Sequence, residues 1–334
     1  MRNIILTNEK SDGFQLQRVI SGLQSDFHDL SVYTKGDIAA SPETFKETEF
    51  IFSTWYMPIF TEDEIKLFFP SLKALFYAAG TVKYFVEPFL KCGIKIFSSA
   101  KANGTPVAEF VAAQIILANK GYFQAQKANK SVLWRWAFKK ARTFADNRPG
   151  NYNAKIGLIG CGNVGSEVVR LLKPYHLNVY IQDPYISEQQ CQEMGVKNID
   201  LATLFETCDV ISNHLPNILS TQGIINYDLL CKMKDYATFI NTGRGAQVVE
   251  DDLAKLLRKR PSICALLDVS RHEPPFPWSP LLRRKNLFLS PHIAGSMGQE
   301  FDRMVEYALH AYKDFISGKP NELEVKLEML DNMA

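Results

Sequence analysis

The stretch Lys155–Leu172, KIGLIGCGNVGSEVVRLL, decides how the chain is read. An apolar run, Ile156–Ile159, reads as a buried strand. Gly160, Gly162 and Gly165 follow in GxGxxG spacing, and an amphipathic pattern then reads as a helix. By itself the glycine pattern is weak. Between a strand and a helix it describes a turn that cradles a pyrophosphate. The first glycine permits the tight bend, the second lets backbone approach phosphate, and the third lets helix and strand pack closely. The free N–H groups and positive dipole end of the helix then face the anion.

Working outward, the next strand ends in VYIQDPY and places Asp183 where a carboxylate binds the ribose hydroxyls of a dinucleotide. A carboxylate there repels a 2′-phosphate, and the residues that follow are Pro184 and Tyr185 rather than arginine. This favours NAD (NADH) over NADP. Further strands are expected at Val179–Gln182, Val210–Asn213, Thr238–Asn241, Ala265–Val269 and Leu287–Leu289, mostly separated by helical patterns. With Ile156–Ile159 they make six strands, which fits a doubly wound nucleotide-binding sheet.

Upstream, Asn3–Leu6, Phe50–Ser53, Ala74–Tyr77 and Ile94–Ser98 read as strands, with a helix such as Asp63–Phe69 between them. This is a second region of α/β alternation. In NGTPVAEF, Thr105 reads as an N-cap and Pro106 as first-turn proline of a mostly apolar helix that ends near Gly121. Residues from Tyr122 to Tyr152 are basic and aromatic, and read as a solvated helix-plus-loop face or as a subunit contact. Glu300–Ser317 reads as a long amphipathic helix that leaves the second region.

The 334 residues suit about two domains. Hydrophobic residues make up 46% and charged residues 22%, enough for large cores. A formal net charge of +2 gives no support to nucleic acid or an anionic membrane as partner. Six scattered cysteines with no CxxC pair read as buried free thiols of a reducing compartment, with no metal site. The opening MRNIILTNEK lacks the apolar core of a signal peptide, and no apolar run is long enough to span a bilayer. A cytoplasmic protein is expected.

Ligands of such sheets bind at the carboxyl ends of the strands. Three polar residues follow successive strands there: Arg244 in INTGRGAQVVEDDL, Glu273 in LLDVSRHEPP and His292 in SPHIAG. Arginine offers a planar fork to a carboxylate and a carbonyl oxygen. Histidine serves as a general acid near neutral pH. A glutamate that reaches the histidine favours its protonated form. Singly, each has a structural explanation; beside a dinucleotide loop, they suit hydride exchange with a 2-oxo acid. His214, in ISNHLPNILS, is a second histidine after a strand, and its neighbours suit a loop lining the cofactor.

These blocks, GLIGCGNVG, QDPY, HLP, INTGRGAQVVEDDL, LLDVSRHEPP and SPHIAG, resemble in order and spacing the D-isomer-specific 2-hydroxyacid dehydrogenases, over nearly the whole chain. The resemblance implies two doubly wound parallel-sheet α/β domains, a Rossmann NAD domain inserted in a flavodoxin-like substrate domain. The substrate domain would be residues 1–100 with a C-terminal return at 294–334, and the NAD domain residues 101–293. It implies a homodimer and a small 2-oxo or 2-hydroxy acid substrate. Arg244 becomes the substrate cation, Glu273 the partner carboxylate and His292 the acid/base. Asp268 matches a position near the nicotinamide carboxamide. Asn163 and Val164 match backbone donors to pyrophosphate. Thr242 and Gly243 match the loop against the nicotinamide, and Gly295 joins the cofactor set. In FYAAGTVKYFVEP, Gly80, Thr81 and Val82 resemble a glycine loop whose amides hold the substrate carboxylate, although the commoner form is GxGxD. STWYMP resembles a loop on the substrate side, where Trp55 and Tyr56, with Met57, would give an apolar wall or simply pack. Formate enzymes of this fold carry glutamine where Glu273 stands, which argues for a 2-oxo acid. Phosphite or formate oxidation, and a non-catalytic NAD(H)-sensing binder of the same fold, are the alternatives.

Overall fold

The computed structural model describes residues 2–8, 14–27, 30–130 and 134–332. The chain divides into two compact units. One joins residues 1–106 to 295–334, and the other comprises residues 107–294.

The first unit is built on β1 (Arg2–Leu6), β2 (Ser31–Tyr33), β3 (Thr48–Ser53), β4 (Ala74–Tyr77) and β5 (Lys95–Ser98). They lie parallel in the order β2-β1-β3-β4-β5, and a short strand, Glu324–Val325, closes the β5 edge antiparallel. That order is the flavodoxin-like one. Side chains alternate between two cores. Ile4, Leu6, Ile51, Leu75 and Ile96 face one, while Ile5, Phe50, Phe52, Phe76 and Phe97 face the other. Helix Glu300–Ile316 completes the second core through Phe301, Met304, Ala308 and Tyr312. Each fully buried Phe or Leu contributes about 1.5–3 kcal/mol of transfer free energy, so this double burial dominates what holds the sheet.

The second unit carries β6 (Tyr152–Ile159), β7 (His176–Gln182), β8 (Lys197–Asn198), β9 (Val210–Asn213), β10 (Thr238–Asn241), β11 (Cys264–Leu267) and β12 (Leu287–Leu289). The sheet is parallel throughout, in the order β8-β7-β6-β9-β10-β11-β12. This is the Rossmann order extended by one strand, and direction reverses between β6 and β9. Such a switch point opens a crevice at the carboxyl ends of the strands.

Three expectations need correction. The helix expected to start at Thr105 runs from Ala100 to Ala118, with Pro106 inside it. Ser98 caps its start, its hydroxyl accepting the Ala100 N–H at 3.2 Å, so the proline only removes one internal bond. The division between the two compact units falls within this helix, after Pro106, and again after Ala294. β11 stops at Leu267, before Asp268 and Val269. Finally, Cys231 is exposed, at the end of the short helix Tyr227–Leu230, whereas Cys191, Cys208 and Cys264 are buried; all six thiols are free. Among the described residues no helix is long and apolar enough to cross a membrane.

Candidate active site

The turn after β6 has the form its glycines require. Gly160 takes φ +88°, and a Cβ there would sit 2.9 Å from the His214 carbonyl oxygen. A Cβ on Gly165 would lie 2.2 Å from the Gly160 carbonyl oxygen, so only glycine lets the helix approach the strand. Gly162 differs, because a Cβ there would meet nothing within 4 Å. The space belongs to no protein atom. Helix Asn163–Leu172 starts there without a side-chain cap, and Asn163 is exposed. Its first N–H groups, Asn163 and Val164 included, remain available to an anion.

Asp183 follows β7. Its carboxylate accepts the Cys161 N–H at 2.7 Å and the Tyr185 N–H at 2.9 Å. It therefore ties its own loop to the glycine turn while staying partly exposed. His214 follows β9 and is partly buried. Desolvation pushes its imidazole down to about 4, so it is neutral at pH 7. Its Nε2 and the Thr242 Oγ1 are buried without a hydrogen-bond partner among the described residues. Orphaned polar atoms on the same sheet edge as an open glycine cradle and an uncapped helix start fit a polar dinucleotide.

Arg244 lies in the loop after β10. Its Nη1 donates to the Gly243 carbonyl oxygen at 2.8 Å. Burial pushes the guanidinium below its ordinary value, and the nearby Glu273 pulls it back. Gly245 shows how tightly this loop meets the next: a Cβ there would lie 2.0 Å from Ser270 backbone. Glu273 accepts the Ser270 N–H through Oε1 at 3.2 Å, and its Oε2 lies 2.6 Å from His292 Nδ1. Both side chains are substantially exposed, at 39% and 50%. A pair so exposed stabilises the fold by at most about 1 kcal/mol, so what it supplies is orientation. With Nδ1 turned to Glu273, Nε2 is the nitrogen left to a ligand.

His292 has φ +55°, a left-handed conformation that costs a non-glycine residue about 1–2 kcal/mol. Asp268, 2% exposed, holds it there. Its carbonyl oxygen accepts the His292 N–H at 3.0 Å. Its carboxylate accepts the Ser290 hydroxyl at 2.5 Å, the Ile293 N–H at 3.0 Å and the Ala294 N–H at 2.8 Å. Hydrogen bonds to a charged group contribute about 1.5–3 kcal/mol each, so even one offsets the strain. Asp268 therefore acts first on the turn that carries the histidine, a task the sequence did not disclose.

Sequence reasoning also missed a buried amide cluster of Asn213, Asn241 and Gln247, all at most 1% exposed. Asn213 Nδ2 donates to Asn241 Oδ1 at 3.0 Å and to Gln247 Oε1 at 2.5 Å. The available signal was an amide at the end of two otherwise apolar strands.

The remaining candidates lie in the first unit. Gly80 follows β4, and its carbonyl oxygen accepts the Ser98 hydroxyl at 2.9 Å. Thr81 is partly exposed and Val82 is fully buried. Trp55 packs edge-on against Phe301, 5.5 Å between centroids, and touches both cores. Tyr56 is 53% exposed at φ +68°. Gly295 sits against Asn103, whose Oδ1 accepts the Ser296 N–H at 3.1 Å.

Residues 112–294 match the model of the D-isomer specific 2-hydroxyacid dehydrogenase, NAD binding domain. The chain belongs to the D-isomer-specific 2-hydroxyacid dehydrogenase family. Within this family it is 33% identical over 204 residues to the D-3-phosphoglycerate dehydrogenase of Archaeoglobus fulgidus, covering 61% of this chain and 37% of that one. It thus spans little more than a third of that relative. It is 29% identical over 265 residues to the glyoxylate reductase of Thermofilum pendens, covering 78% and 77%. The D-mandelate dehydrogenase of Rhodotorula graminis shares the fold, with a TM-score of 0.77 at 19% identity and 97% of both chains covered. The matched domain is the unit that holds the glycine turn, Arg244, Glu273 and His292.

Proposed function

We propose that the protein is an NAD-dependent oxidoreductase that interconverts a D-2-hydroxy acid and a 2-oxo acid. The observation that carries this is the His292–Glu273 pair at 2.6 Å, on the carboxyl edge of the sheet that also bears Arg244. NADH, when bound, supplies the hydride. Gly160, Gly162, Gly165 and the backbone of Asn163 and Val164 hold its pyrophosphate. Asp183 takes the ribose and disfavours NADPH. His214, Thr242, Gly243, Asp268 and Gly295 line the remainder. Arg244 grips the carboxylate and polarises the carbonyl oxygen of the 2-oxo acid. His292, protonated on Nε2 and braced by Glu273, gives that oxygen its proton during reduction and takes it back during oxidation. In this reading the first unit contributes the backbone of Gly80, Thr81 and Val82 to the substrate carboxylate, and Trp55 and Tyr56 to substrate binding.

The first-unit residues form the substrate domain in this reading, residues 107–294 the NAD domain. The exposed Trp134, Trp136 and Phe138 of helix Trp134–Asp146 support a homodimer, and six free thiols support a cytoplasmic location. The test is NADH oxidation with glyoxylate, hydroxypyruvate, pyruvate, phosphohydroxypyruvate, 2-oxoisocaproate and phenylpyruvate. Turnover of at least one is expected. Silence across the panel with NADH still bound would replace the enzyme by a nucleotide-sensing binder.

A further inference from the structure

We propose that Gln247, with Asn213 as its keystone, is a positioning residue for Arg244. Both backbone polar groups of Arg244 are held by buried amide side chains. Its N–H donates to Gln247 Oε1 at 3.2 Å, and its carbonyl oxygen accepts Asn241 Nδ2 at 3.2 Å. The same Gln247 Oε1 accepts Asn213 Nδ2, while Asn241 Oδ1 accepts both Asn213 Nδ2 and the Gly243 N–H. The other end of Gln247 reaches the loop after β9. Its Nε2 donates to the Leu215 and Pro216 carbonyl oxygens at 2.7 and 2.9 Å. Asn213 Oδ1 accepts the Leu215 N–H at 3.3 Å.

Every donor and acceptor of the Gln247 amide is thereby engaged. Such a site is either fully satisfied and rigid or expensive to disturb. The cluster joins the loop after β9, which carries His214, to the loop after β10, which carries Arg244. It fixes the Arg244 main chain, so the guanidinium swings only from a held Cα. Apolar side chains could fill this space, but they would leave the backbone groups of Arg244, Gly243, Leu215 and Pro216 without these partners. What the amides add is direction.

The proposal rests on reading Arg244 as the substrate cation. The test is a double-mutant cycle of Gln247→Met, near-isosteric but unable to hydrogen-bond, with Arg244→Lys. Kinetics are measured with glyoxylate, hydroxypyruvate and pyruvate, after a thermal melt shows that each variant folds. Misplacing a substrate-gripping group by about an ångström costs up to 10²-fold, so Gln247→Met should lower kcat/KM at least about tenfold. In the Arg244→Lys background the same change should cost less than about threefold, because the fork it positions is already gone. A purely structural role gives equal losses in both backgrounds, and that result, or unaltered kinetics in Gln247→Met, overturns the proposal. If Gln247→Met does not fold, Asn213→Leu takes its place with the same criteria. Wild-type kinetics in Arg244→Lys alone would instead overturn the reading of Arg244, a failure visible before any Gln247 variant is made.

Discussion

The two units repeat one plan, a parallel sheet with apolar cores on both faces, yet they treat buried polar groups differently. In the first, the polar side chains buried at strand ends are small hydroxyls, several of which donate to backbone carbonyls. Ser53 donates to Leu6 at 2.6 Å, Thr54 to Ala78 at 3.0 Å and Ser99 to Met304 at 2.8 Å. In the second, the corresponding edge buries Asn213, Asn241, Gln247 and Asp268, and each ties several segments together. A hydroxyl has one hydrogen to donate; an amide or a carboxylate makes several bonds at once and sets loops relative to one another. Where a scaffold must only be stable, the first suffices. Where it must hold charged side chains in fixed relation, the second is needed.

This contrast breaks most visibly at Asp268. Asp268→Ala should strip three hydrogen bonds from the His292 turn and leave the buried Ala294 N–H and the part-buried Ile293 N–H without their partner. A loss of about 3 kcal/mol or more is expected, with a lowered turnover in whatever folds. Urea unfolding that shifts by under about 1 kcal/mol would mean the turn is held by packing instead. Asp183→Ala is expected to act less on the fold and more on choice of cofactor. Removing the carboxylate should narrow the NADH-over-NADPH preference in kcat/KM by about tenfold or more, the discrimination one charged contact supplies. An unchanged ratio would put the ribose site elsewhere. The smallest effect belongs to the first unit. Ser99→Ala should cost about 1 kcal/mol in thermal unfolding and leave kinetics alone. Impaired turnover there would show that the hydroxyls of this unit do more than hold the scaffold.

How much of this was legible in the sequence follows the same division. β4, β9, β10 and β12 were read to the residue, because apolar runs bounded by turn residues announce a buried strand. β2, β8 and Glu324–Val325 were missed; they are two or three residues long, lie at or near sheet edges and carry no apolar run. The start of helix Ala100–Ala118 was misplaced because Pro106 mimics a first-turn proline, whereas the cap is the more distant Ser98. Within the candidate site, Arg244, Glu273 and His292 stood out because they follow three successive strands on one sheet edge that also carries a dinucleotide loop. The amide cluster did not. Asn213 lies 28 positions from Asn241 and 34 from Gln247, and the parallel register of β9 and β10 brings them together. Left-handed His292 was equally silent, because no local residue type signals a conformation imposed by Asp268.

The central claim is that His292 moves the proton. Its most direct test is rapid-mixing measurement of NADH oxidation by wild type and His292→Ala, using the fastest 2-oxo acid of the panel, with NADH affinity measured separately by fluorescence. The claim predicts a turnover lower by about 10²–10⁴-fold in the variant at nearly unchanged NADH affinity. Wild-type turnover in His292→Ala would contradict it.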